Sequence, residues 1–140
     1  MKVLTAAICD RAGTLPDGKL DLQGVFHDLY APGFPAKQGE MTLALMIEWD
    51  RGDEGRYQFR IDMVGPSGKP GLTVEGHSDV SDPDPTRPPP RTQLVMPMKD
   101  VVFPEAGEYR FELKMKGQTL PGPTLYLMET REDEAAAPTA

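Results

Sequence analysis

Residues 56–64, "RYQFRIDMV", and residues 108–116, "EYRFELKMK", decide how this chain is read. In the first, Tyr57, Phe59, Ile61 and Met63 alternate with Arg56, Gln58, Arg60 and Asp62. In the second, Tyr109, Phe111, Leu113 and Met115 alternate with Glu108, Arg110, Glu112, Lys114 and Lys116. A period of two sends successive side chains to opposite faces of an extended strand. The apolar set of each stretch is expected to face a core and the polar set, Asp62 included, to face water. That pattern belongs to antiparallel sheets with one covered face.

The same reading extends along the chain. "MTLALMIEW" (41–49) is apolar on both faces up to Glu48, as a central strand would be. "VLTAAIC" (3–9) is similar. "LTVEG" (72–76), "QLVMPMKDVVF" (93–103) and "TLYLME" (124–129) add further strands, and Pro97 marks an edge or a bulge because it lacks a ladder donor. Pro16-Asp17-Gly18 has turn chemistry, which makes residues 3–10 and 19–30 a hairpin. "DRGDEG" (50–55), Gly65-Pro66-Ser67-Gly68, Glu105-Ala106-Gly107 and Gly117-Gln118 supply the other turns. No segment has the period of an amphipathic helix. The expected fold is all-β: an antiparallel β-sandwich of about eight strands over residues 1–129, immunoglobulin-like or C2-like. Its core is expected to contain Leu4, Ile8, Leu20, Leu22, Phe26, Leu43, Leu45, Ile47, Trp49, Tyr57, Phe59, Ile61, Leu72, Val74, Leu94, Met96, Tyr109, Phe111, Leu113, Leu125 and Leu127. Residues 78–92, "SDVSDPDPTRPPPRT", carry five prolines and read as a long exposed loop. Residues 130–140, acidic and then alanine-rich, read as a disordered tail.

Composition narrows the function classes. The chain has 140 residues, a formal net charge of −7 and one cysteine. Nucleic acids are bound by neutralising phosphates with Lys and Arg, and no basic run offers that. An acidic membrane surface is disfavoured on the same ground. Cys9 has no partner for a disulfide and sits in an apolar stretch, where a thiol is buried and inert. "MKVLTAAICD" lacks the apolar core of a signal peptide, and no stretch is long enough for a membrane helix, so a soluble cytoplasmic protein is expected.

Four groups of residues could carry chemistry. Cys9 with His27 and Asp28 could form a nucleophile, base and acid, yet adjacent strand residues face opposite ways, and a short turn puts Cys9 opposite the low twenties. Asp50, Asp53 and Glu54, with Asp79, Asp82 and Asp84, could gather at one end of a sandwich around calcium, which takes six to eight oxygens. They read first as solvated turns, and His27 and His77 lack paired metal-ligand spacing. The tract Pro85–Arg91 resembles ligands for aromatic grooves. Trp49, Tyr30, Phe34 and Tyr126 could form a sugar platform, although Trp49 is in phase with the core. No phosphate loop or nucleophile elbow is present.

Two stretches carry a resemblance. They are "CDRAGTLPDGKLDLQGVFHDLYAPGFPA" (9–36) and "FPEAGEYRFELKMKGQTL" (103–120). Cys9-Asp10, Gly18-Lys19-Leu20, Gly24-Val25-Phe26, Phe34-Pro35 and Phe103 through Phe111 together resemble a family of short bacterial proteins of unknown function. The resemblance implies a compact all-β domain and brings no catalytic residue, cofactor or ligand. The functional expectation is a non-enzymatic binding or assembly module that meets another protein, or a second copy, through loops or an exposed strand edge. The alternative is a calcium or carbohydrate module using the loop end. No catalytic, cofactor or metal residue is assigned.

Overall fold

A computed structural model describes residues 1–130. It contains nine strands: β1 (Lys2–Thr14), β2 (Leu20–Val25), β3 (Asp28–Ala31), β4 (Ala36–Glu48), β5 (Gly55–Val64), β6 (Pro70–Val80), β7 (Arg91–Phe103), β8 (Gly107–Met115) and β9 (Gln118–Glu129). Sheet I has the order β2-β1-β4-β7 and sheet II the order β3-β9-β8-β5-β6. All pairs are antiparallel except β3 with β9, which is parallel. None of the described residues forms a helix long and apolar enough to cross a membrane.

The two alternating stretches become β5 and β8, which pair through Ile61 opposite Leu113 and Met63 opposite Phe111. Their apolar faces join Ile8, Met41, Leu43, Leu45 and Ile47 of sheet I in one core between the sheets. β4 is central in sheet I, which explains its apolar residues on both faces. Tyr109 sits at the corner between sheets. Its hydroxyl donates to Glu105 O at 2.6 Å and accepts from Glu105 N–H at 3.2 Å, and its ring meets Phe103 edge-on at 5.0 Å. Lys116-Gly117, both at positive φ, closes the β8–β9 hairpin in two residues.

Several expectations are corrected. Residues 19–30 are two strands, so nine replace eight. After Val25 the chain leaves sheet I, and β3 pairs with β9 in sheet II. Alternation is the same in either sheet, so the pattern could not show the crossing. "DRGDEG" also crosses between sheets and does not close a hairpin. The proline loop spans 81–90, not 78–92: β6 runs on to Val80, which is buried in the core, and Ser78 is buried where its Oγ lies 3.2 Å from Thr92 Oγ1. Leu4 is 44% exposed, because a register shift between Val3 and Thr5 displaces it from the core face. Asp62 is fully buried, not solvated. The expected tail, apart from Thr130, lies outside the described residues. Thr130 N–H donates to Ala31 O at 2.8 Å.

Leu20 and Leu22 are half-buried but belong to a separate layer. β1 pairs with β4 only as far as Cys9, and from Arg11 to Thr14 it pairs with β2 alone. This hairpin arm turns back across the outer face of sheet I. Thr14 Oγ1 donates to Gln93 Oε1 and Gln93 Nε2 donates to Gly18 O, each at 2.8 Å, although Gln93 lies on β7, beyond β4. Ala7, Cys9, Thr42 and Ala44 are out of phase with the core yet buried, because the arm lies over them.

Candidate functional site

The catalytic candidates do not converge. Cys9 is fully buried, opposite Val25 on one side and Thr42 on the other, and its Sγ lies 3.7 Å from Thr42 O. Burial pushes the thiol pKa up, and the charge of Asp10 adds to that, against backbone hydrogen bonds from Gln23 and Arg11. A nucleophilic thiol needs the opposite shift. His27 is exposed at the crossing between sheets, where its carbonyl accepts from Tyr126 N–H at 2.8 Å, and Asp28 begins β3.

The acid-rich turns do meet at one end, and there they fasten two loops together. Arg51 of the β4–β5 loop donates to Asp82 Oδ1 at 2.9 Å, to Asp84 O at 3.4 Å and to Arg87 O. Gly52 N–H donates to Asp82 Oδ2, and Asp82 N–H donates to Glu54 Oε1. Asp53 receives Lys116 Nζ at 2.6 Å and Asp50 N–H at 3.2 Å. The Lys116 hydrogen bond is the main reason the Asp53 carboxyl is held below its usual range. Asp79 pairs with Arg56 at 2.8 Å, and Asp84 accepts from Thr86. These carboxylates are engaged by cations and N–H groups. The proline tract is held by the same clasp: Pro90 O accepts from Trp49 N–H at 2.8 Å, and Arg91 pairs with Glu48.

The aromatics divide. Trp49 is buried, stacks on Tyr57 at 4.8 Å and donates through Nε1 to Thr92 Oγ1. Phe34 is half-buried against the core. Tyr30 and Tyr126 are 47% and 46% exposed. The parallel register puts Asp28 opposite Tyr126 and Tyr30 opposite Met128, so the two rings stand diagonally on the outer face of sheet II.

Two features escaped the sequence reading. One is the Asp62 cluster. Thr73 Oγ1 and Arg60 Nε donate to Asp62 Oδ1 at 2.7 and 3.0 Å, and Lys114 Nζ lies 3.2 Å from Oδ2. Burial pushes this carboxyl up, but the hydrogen bonds from Thr73, Arg60 and Lys114 outweigh it, and the pKa is lowered. Beside it Gln58, Phe59, Arg60, Glu75, Gly76, His77 and Lys114 line an open groove of about 460 Å³. The other is the edge of β6, which among the described residues pairs only with β5. Leu72 and Val74 on β6 and Met96 and Met98 on β7 line a narrow notch where the sheets part, with room for about 10 Å³. "LTVEG" announced a strand, but nothing local told which strand would lie last in its sheet.

A model of a family of unknown function matches residues 4–127, from β1 into β9. The chain belongs to the family DUF6941. Comparison with curated proteins and with solved structures gives no significant match. The match covers both segments that carried the resemblance, and the DUF6941 chain is all-β, as that resemblance implied.

Proposed function

We propose that this chain is a non-enzymatic binding or assembly module that engages another protein through an open strand edge. The observation that carries this is the contrast between β6 and the other edges. β7 is interrupted by Pro97 and by Asp100 at φ 54°. β3 has four residues, and β2 belongs to the folded-back arm. β6 is an 11-residue strand with its only proline at the first position. Long uninterrupted edges pair with other chains unless something defends them. The burial and raised thiol pKa of Cys9 support a role without cysteine catalysis.

The layout supports an immunoglobulin-like sandwich over a C2-like one. β1-β4-β7 facing β6-β5-β8-β9 reads as strands A-B-E against C′-C-F-G, and Tyr109 forms a tyrosine corner at the start of β8. A bacterial, cytoplasmic setting fits a buried cysteine with no disulfide. The test is paired affinity capture from lysate of the source organism, with wild type and Val74→Lys as baits. An inward-pointing lysine blocks an edge. A partner held by wild type and lost by the variant supports the reading; partners held equally by both overturn it.

A second reading, a carbohydrate platform, is favoured by the shared face of Tyr30 and Tyr126 with Asp28 beside them. Glycan-array binding that disappears in Tyr30→Ala would establish it. Calcium has no comparable support, since the candidate carboxylates already hold cations and N–H groups.

A further inference from the structure

We infer that the occupant of the β6 edge is a second copy of this chain, paired antiparallel about a two-fold axis at Gly76. This rests on the edge-binding reading above and names its partner and register.

An isologous strand pair is self-complementary: an axis at residue k sets each residue k+n against k−n of the other copy. For two sheets to join with their faces continuous, outward residues must oppose outward residues, because neighbouring strands share the pleat. On β6 the residues opposite Asp62, Arg60, Gln58 and Arg56 of β5 are Thr73, Glu75, His77 and Asp79. All four are exposed, while Leu72, Val74 and Gly76 are half-buried.

Charge then selects among the registers. An axis at Glu75 sets Glu75 against its own copy. An axis at His77 sets Glu75 against Asp79 twice. Like charges directly opposed are destabilising. An axis at His77's other neighbour, Ser78, runs the pairing past Val80, where the strand ends. Axes at Val74 and at Gly76 both oppose no like charges, but an axis at Val74 sets Glu75 against Thr73 and His77 against Gly71, with no opposite charges facing, whereas an axis at Gly76 uses Leu72 through Val80. It places His77 against Glu75 and Asp79 against Thr73, each twice. On the inner side it sets Leu72 against Val80 and Val74 against Ser78, extending the apolar row beside Met96 and Met98. Glu75 has no ion-pair partner among the described residues, and this register supplies one.

Gly76 is kept free of a side chain by its own strand partner. A Cβ there would lie 2.7 Å from the ring of Phe59, which already covers the position.

The test is sedimentation equilibrium of the full chain across a concentration series at about pH 5.5, where imidazole is ordinarily cationic and glutamate ionised, for wild type and four variants: His77→Glu, Glu75→Lys, the combined Glu75→Lys/His77→Glu, and Val74→Lys. Circular dichroism and the thermal midpoint of each variant at its lowest concentration check the fold. Wild type is expected to dimerise. Each single charge change is expected to weaken the dimer by roughly tenfold, since both symmetric pairs become like-charged. The combined swap restores opposite charges in this register alone and is expected to recover the wild-type affinity. Val74→Lys is expected to abolish the dimer. A wild type that stays monomeric overturns the inference, and the lysate capture still decides the edge reading. A dimer lost in Val74→Lys but not rescued by the combined swap keeps the edge and overturns the register. A dimer untouched by all four variants overturns both the register and the edge as the self-association surface.

Discussion

Asp62 shows how a single residue can invert what alternation promises. Its neighbours Arg60 and Lys114 are each about half exposed, and their side chains close over it while Thr73 seals the remaining side. Replacing Asp62 with Asn keeps the shape but leaves two cations facing an amide. We expect a loss of ~1–3 kcal/mol in denaturant unfolding, as for a charged hydrogen-bonding group removed from a buried site. The pH dependence has a definite sign. A carboxyl whose folded pKa lies below its unfolded value, about 3.9 for Asp, stabilises fully above that value, and the contribution fades as pH falls through the lower folded one. The wild type should therefore lose stability more steeply than Asp62→Asn as the pH falls below about 4. Equal slopes in acid titrations of the two proteins would remove Asp62 from the account. Tyr109→Phe strips both hydrogen bonds to Glu105 and is expected to cost ~1–2 kcal/mol, read in the same unfolding experiment. Cys9, sealed under the arm, should react with a thiol reagent only after denaturation.

At the scale of elements, the strands were legible because burial on one face leaves a period of two. Their turns were legible where glycine at positive φ is required, as at Gly18, Gly68 and Gly117. Sheet membership was not, since β2 and β3 read as one strand while belonging to different sheets. The loops were misread in the same way: composition gave "SDPDPTRPPP" as free chain, because the guanidinium that binds it sits some thirty residues earlier in another turn. Removing that guanidinium with Arg51→Ala should release the 81–90 loop. We expect limited digestion with endoproteinase Asp-N to cut before Asp82 several times faster in the variant, with the core midpoint little changed; equal cleavage rates would show that the clasp does not order the loop. Thermal midpoints in calcium and in EDTA should coincide, because a metal bound only by the folded state would raise the midpoint and the end-loop acids are already engaged.

Across the whole molecule, most of the core list holds: Ile8, Leu43, Leu45, Ile47, Trp49, Ile61, Tyr109, Phe111, Leu113, Leu125 and Leu127 are all buried. Phe111 lies where β5, β8 and the notch meet, and Phe111→Ala is expected to cost ~3–5 kcal/mol. The candidate site was far less readable. An edge exists only after every other strand has been placed, and no local spacing records that outcome. The diagonal Tyr30–Tyr126 pair has the same origin, in one parallel contact between the early and the late part of the chain.

That contact also governs how the protein is born. β3 leaves the ribosome early, yet its sheet neighbour β9 comes after every other strand of the described residues. Until then Leu29 and the far side of β8 have nothing to lean on, and sheet II stays incomplete while synthesis continues. Assembly of sheet II must wait for β9, and contacts so remote in sequence are slow to form. Nascent chains arrested before Gln118 should accordingly be open to protease along β3 and β8, and should become resistant only once β9 has cleared the exit tunnel.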